Sequence, residues 1–179
     1  GDFHFRISAN SFFQTNSAGA ANLYSTVAEY AGLQGGEKVL DLYSGTGTIP
    51  IFLSEKADSV TGIEISESAS ADAEKNAREN LIKNCRFICG DIKDALKEIS
   101  FKPDVVIIDP PRAGMHKDVL SRLLEMAPEK IVYTSCNPAT LARDLGQMVE
   151  TYELHEVQPV DMFPNTYHIE AVARLSIRK

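Results

Sequence analysis

The chain has 179 residues, 44% of them apolar, and a formal charge of −7. That length suits one domain with a sizeable core, and the apolar share excludes a disordered chain. No apolar run approaches the roughly 20 residues of a transmembrane helix, and the acidic balance argues against a surface that coats nucleic acid indiscriminately.

The first 16 residues, ending FHFRISANSFFQTN, read as extended and aromatic, and Ser17 to Ala31 as a helix. They carry no basic-then-apolar leader pattern. This opening resembles a segment leading into a domain. We therefore expect an entry segment over 1–30, a domain over 31–179, and a longer parent protein with an upstream part. A strand follows from Val39 to Tyr43, closed by Ser-Gly-Thr-Gly, and then a helix over Ile49 to Lys56, with Pro50 tolerated in its first turn. Ser59 to Ile65 is the second strand. The helix over 66–84 has Ser66 as N-cap, and its apolar positions Ala69, Ala73, Ala77 and Leu81 recur every four residues. CRFICGD, from Cys85 to Asp91, is the third strand, and Ile92 to Ile99 a short helix. Asp104 to Asp109 is a fourth strand, apolar throughout its middle as a strand buried on both faces should be. Val119 to Met126 is helical, Lys130 to Ser135 a strand and Pro138 to Val149 a helix. From Tyr152 two extended stretches flank the loop MFPNTYH. Strands alternating with helices predict an α/β doubly wound, mostly parallel sheet of seven strands, ending in an antiparallel edge hairpin.

Three cysteines make an odd set, which points away from a disulfide framework and toward a cytoplasmic setting. Cys85 and Cys89 share a strand face and are expected in the core. No further soft ligands accompany them, so no metal site is expected.

Four acids fall at successive strand ends: Asp41 before SGTG, then Glu64, Asp91 and Asp109. A glycine turn after the first strand lets a ligand approach the backbone, and an acid ending the second strand suits ribose hydroxyls. Gly45 and Gly47 are followed by Pro50, so the third glycine of a dinucleotide fingerprint is absent. The combination of DLYSGTGT, GIEIS, CGD and DPPR resembles the class I S-adenosylmethionine-dependent methyltransferases. That resemblance implies that Asp41, Gly45 and Gly47 hold the methionine end, Glu64 the ribose, and that Asp91 lies near the adenine. Helix caps and turn residues are the competing reading of each acid taken singly.

Cys136 closes a strand, and Asn137-Pro138 suit the N-cap and first turn of a helix. A thiol beside a helix N-terminus is biased toward thiolate. A packed small hydrophobe is the alternative. Methylation of uracil at C5 is chemistry that would need this thiol. C5 is too weak a nucleophile alone, and thiolate addition to C6 turns it into an enolate-type carbon, after which a base must remove the C5 proton. Glu170 opens an apolar stretch in the tail and shares a face with His168 in an extended strand. An exposed strand carboxylate is the alternative.

FFQTN, DLYSGTG, DPPRAG, SCNPATLARD and DMFPNTYHIE together resemble the RNA uracil-C5 methyltransferases, which act on 23S ribosomal or transfer RNA. The resemblance implies Cys136 as nucleophile and Glu170 as proton-abstracting base. It implies Gln14, Tyr43, Glu64 and Asp109 as donor-binding residues. Asp109, Phe12, Arg112 and His168 become substrate-binding, and the RNA uridine is expected to be flipped out of its stack. Arg112, Lys117 and Arg143 are candidates for phosphate contact. Family members usually carry an upstream RNA-binding domain of OB type, and some an iron–sulfur cluster; no C-x-x-C precedes the domain here, and Ser44 stands where some members have cysteine. Two other readings stay open: another class I methyltransferase, acting on a small molecule or on cytosine, and a non-catalytic fold that binds RNA or protein.

Overall fold

A computed structural model describes residues 3–8 and 14–178. Seven strands form one sheet: β1 (Lys38–Leu42), β2 (Ser59–Glu64), β3 (Cys85–Cys89), β4 (Val105–Ile108), β5 (Lys130–Ser135), β6 (Tyr152–Val160) and β7 (Glu170–Ile177). Their order is β3-β2-β1-β4-β5-β7-β6. The first five run parallel, while β7 lies antiparallel between β5 and β6. The expected doubly wound sheet with an antiparallel C-terminal hairpin is therefore present. The central strands are mostly apolar because both faces are covered, β4 throughout, while β1 buries Asp41 near its carboxyl end. Leu40, Leu42, Val106 and Ile108 pack on one side, against α4 (Ile92–Glu98), α5 (Lys117–Met126) and α6 (Pro138–Gly146). Val39, Val105, Ile107 and Val132 pack on the other, against α1 (Ser17–Ala31) and α2 (Thr48–Leu53).

The winding reverses between β1 and β4, and loops beyond their carboxyl ends frame the crevice where such sheets bind ligands. Asn16 anchors one border of this region. Its side chain caps α1 by accepting from the Gly19 N–H at 3.1 Å and donates to the Met162 carbonyl at 2.7 Å, which ties the loop before β7 to the helix start.

Several sequence expectations shift. The helix expected over 66–84 is α3 (Glu67–Glu79); Asn80 ends it, and Leu81 sits at φ 60° and 83% exposed instead of extending the alanine stripe. The helix expected to reach Lys56 tightens into a 3-10 turn at Ser54. Cys89 is exposed and Cys85 half-buried, because β3 is the edge strand of the sheet among the described residues. The last helix stops at Gly146, short of Val149.

Candidate active site

The loop after β1 alternates into the left-handed region, at Tyr43 (φ 71°), Gly45 (φ 54°) and Gly47 (φ 81°). Tyr43 carries strain there that glycine would not. A Cβ at Gly47 would lie 2.9 Å from the Phe87 ring and 3.0 Å from Ala73, so glycine is also required by space. Glu64 holds the loop: its carboxylate accepts from the Gly45 N–H at 2.9 Å and the Ser66 N–H at 2.8 Å. Tyr43, Glu64 and Asp91 line a cleft of about 720 Å³ that continues across Pro111 to Lys117, a size suited to a small-molecule ligand. Asp91 caps α4 through the Lys93 N–H at 2.8 Å and stays exposed to the cleft. Glu64 and Asp91 thus serve the backbone and face the cleft at once, so the cap and ligand readings do not exclude each other.

Asp41 is wholly buried, and among the described residues neither of its oxygens has a hydrogen-bond partner. Burial, then the nearby Asp109 and Glu64, raise its carboxyl well above the usual range. Asp109 is raised by burial too, with a Thr134 hydrogen bond opposing. Carboxylates gathered at one end of the sheet favour a ligand that brings positive charge. Asp41 also has a stability signature. The folded chain retains a proton that the unfolded chain releases near pH 4, so stability is lost as pH rises above that value. The loss runs at up to about 1.4 kcal/mol per pH unit until the folded group ionises. Asp41→Asn removes this slope. Denaturant melts of both proteins from pH 4 to 8 should show the variant gaining on wild type as pH rises; parallel curves would mean that Asp41 has a partner.

β5 and β7 carry the second half of the site. Their antiparallel register pairs Ser135 with Ala171, so one step further along it Cys136 faces Glu170. Arg112 lies between these two groups and His168, whose Nδ1 is 2.6 Å from its guanidinium. His168 precedes the strand rather than lying on it, so it meets Glu170's surroundings through Arg112 and not by strand alternation. The Glu170 carboxyl is pushed up to about 7 by burial and by Asp109, with Arg112 opposing.

The Cys136 thiol corrects an expectation. It is raised, by burial first and then by Glu170, while Arg112 pulls it down. The first groups of the helix are engaged elsewhere: the Asn137 side chain accepts from the Ala139 N–H at 3.1 Å, and Pro138 has no N–H to offer the sulfur. The cation that serves this thiol is Arg112.

α6 fixes the Asp109–His116 loop that carries Arg112. Asn137 Nδ2 and the Thr140 hydroxyl both donate to the Arg112 carbonyl, at 3.2 and 3.3 Å. Asp144, buried, accepts from the Tyr133 hydroxyl at 2.7 Å and the Met115 N–H at 2.9 Å. Arg143, a candidate for phosphate, instead pairs with Asp144 at 2.7 Å and donates to the Ala113 carbonyl at 2.9 Å. Asp144 escaped the sequence reading, although a tyrosine closing an apolar strand needs a partner for its hydroxyl. Gln14 is half-buried two residues before the α1 cap. Phe12 lies outside the described residues. No helix among the described residues is long and apolar enough to cross a membrane.

The family model for tRNA (uracil-5-)-methyltransferases matches residues 1–178. A Bacteroides thetaiotaomicron protein named an uncharacterized RNA methyltransferase is 52% identical over 178 residues, covering 97% of this chain and 39% of that protein. A Caldanaerobacter subterraneus protein of similar name is 49% identical over 172 residues, 96% of this chain and 38% of its own length. The chain thus spans about two fifths of the curated relatives it matches. Among solved structures, Pyrococcus abyssi tRNA (uracil-54, C5)-methyltransferase in complex with S-adenosyl-L-homocysteine is 43% identical. It superposes with a TM-score of 0.85 over 97% of this chain and 42% of its own. Trm5b from the same organism, 20% identical with a TM-score of 0.77 over 99% of this chain and 54% of its own, shares the fold. With its whole described length matched, the chain belongs to the tRNA (uracil-5-)-methyltransferase family.

Proposed function

We propose that this domain transfers a methyl group from S-adenosylmethionine to C5 of a uridine in RNA, ribosomal or transfer, in the cytoplasm. The observation that carries the reading is the pairing of Cys136 with Glu170 across β5 and β7, with Arg112 acting on both, beside a carboxylate-lined cleft. The cleft fits the donor: the left-handed glycine loop beside it admits a close ligand, Glu64 and Asp91 present acceptors for hydroxyl and amine groups, and a sulfonium would favour ionisation of the acids gathered at this end of the sheet. Bound there, S-adenosylmethionine would supply the electrophilic methyl group that C5 accepts.

The residues of the chain do the rest. Arg112 stabilises Cys136 as thiolate, which bonds to C6 of a flipped uracil and shifts the ring electrons toward C5. After C5 is methylated, the Glu170 carboxylate takes the C5 proton. The C5–C6 double bond re-forms and the thiolate leaves. A carboxyl near 7 is matched to that task at neutral pH. Methylation of cytosine at C5 is the less favoured reading, because Arg112 stands directly after the prolines where RNA cytosine enzymes of this fold place a cysteine.

The test is an intact-mass measurement after incubation with S-adenosylmethionine and an RNA carrying 5-fluorouridine. Fluorine cannot leave as a proton does, so a methylated protein–RNA adduct should persist. Its absence, with donor binding intact and the full-length protein supplied, would sink the covalent reading.

A further inference from the structure

Helix α3 and its C-cap carry a polar stripe at Asp72, Asn76 and Asn80, beside the alanine stripe that packs toward the sheet. A helical side chain buried in such a stripe needs a partner. Asp72 is 1% exposed and Asn76 is fully buried. Their partners are the backbone and a side chain of the extended residues 3–8. Asn80 accepts from the His4 N–H at 2.9 Å and donates to the His4 carbonyl at 2.7 Å. Asn76 accepts from the Arg6 N–H at 2.7 Å and donates to the Arg6 carbonyl at 3.1 Å. Asp72 accepts from the Ser8 N–H at 2.8 Å and the Ser8 hydroxyl at 2.9 Å.

The match is one of periods. Four helical residues advance about 6.0 Å and two extended residues about 6.6 Å, so three rungs stay nearly in step. Each asparagine offers a donor and an acceptor, as a strand edge does, and alternate residues of the segment take both. The segment is thereby strapped to the helix as to a neighbouring strand.

Asn76 does one thing more. Its second amide hydrogen donates to the Thr46 carbonyl at 3.0 Å, in the middle of the Gly45–Gly47 turn. That turn is otherwise held by Glu64 at Gly45. One buried amide therefore joins the strap to the loop on which the donor is proposed to sit. We infer that Asn76 is a positioning residue for the donor, and that docking of residues 3–8 sets the shape of the donor loop, a proposal that rests on the donor-site reading above. Without the strap, the amide loses the donor and acceptor at Arg6 that fix its orientation, and its bond to the Thr46 carbonyl is held by nothing on that side.

The strap is read through its backbone, which gives a sharp test. The Arg6 side chain is exposed, so Arg6→Ala keeps every rung, whereas Arg6→Pro deletes the N–H that Asn76 accepts. Donor affinity would be measured by calorimetry with S-adenosylmethionine, kcat at saturating donor by methyl transfer to RNA, and folding by thermal melts. Arg6→Pro and Asn76→Ala should each raise the donor Kd and KM by roughly tenfold while kcat stays within about twofold, and Arg6→Ala should match wild type. If Arg6→Pro lowers the melting temperature without moving the donor Kd, the strap is structural only and the coupling is wrong. Failure of the wild-type chain to bind the donor would instead overturn the donor-site reading, and the coupling with it. Should Asn76→Ala not fold, Arg6→Pro alone decides, since it leaves the core untouched.

Discussion

Cys136→Ala is expected to abolish methyl transfer, by at least about 10⁴-fold in kcat, while leaving the donor Kd unchanged. The asymmetry follows from position. The thiol sits at the end of β5, one register step beyond the Ser135–Ala171 pair, and is absent from the lining of the cleft that holds Tyr43, Glu64 and Asp91. Removing Sγ from a half-buried site costs little packing, so the fold should survive. What is lost is the only step that makes C5 of uracil nucleophilic, and neither Glu170 nor Arg112 can replace it: one abstracts a proton, the other supplies charge. Cys136→Ser should be nearly as inactive, because a hydroxyl is a far poorer nucleophile at the same pH and the raised thiol already sits where Arg112 must work to ionise it. Methyl transfer from a radiolabelled donor measures the rate, and calorimetry the affinity. Residual turnover above one hundredth of wild type would mean that methylation proceeds without a covalent step.

Much of this arrangement was legible in the chain, and the limits are physical. Central strands buried on both faces announce themselves as apolar runs such as Val105–Ile108, and an alternation of such runs with helices leaves few topologies. Acids near strand ends were readable because a carboxylate is costly in the middle of a strand buried on both faces and cheaper where the strand meets a loop. The pairing of Cys136 with Glu170 was readable as chemistry, one residue demanding the other, but not as geometry. Registers of strands far apart in sequence are set by turn lengths and packing, and β7 reaches β5 only by inserting inside β6. The state of the thiol was misread for a related reason. A helix end looks cationic on paper, and its Asn137 cap is legible there too, but only the structure shows Glu170 facing the sulfur. The strap was invisible. Asp72, Asn76 and Asn80, spaced four apart, look like the solvated face of a helix until an extended segment some 70 residues earlier fills the same spacing. Leu81, counted with the apolar stripe, points outward because the helix ends at Asn80 and the chain turns into the left-handed region there.

Glu170→Gln should stall the reaction after methylation rather than before it. Glutamine keeps the shape of the side chain beside Cys136 but cannot take the C5 proton, so the methylated adduct has no route to release its thiolate. Turnover should fall by about 10²–10⁴-fold, and a denaturation-resistant protein–RNA complex should accumulate on ordinary uridine, where wild type shows none. The pH dependence separates this role from simple positioning. The wild-type carboxyl, near 7 because burial and Asp109 disfavour its charge, is protonated below that pH and useless as a base. Release should therefore slow about tenfold for each unit below pH 7 and level off above it. Adduct formation has a different dependence, because the Cys136 thiol is raised above its ordinary value and gains thiolate as pH climbs past neutrality. In Glu170→Gln the limb near 7 should vanish from the release step. Loss of the neighbouring negative charge should also ease thiol ionisation and move the adduct-formation profile to lower pH. Quench-flow measurement of adduct and product at pH 6 to 9 reads both steps. If the variant accumulates no adduct, or if its slow release keeps the limb near 7, the base is another group and Glu170 only orders the site.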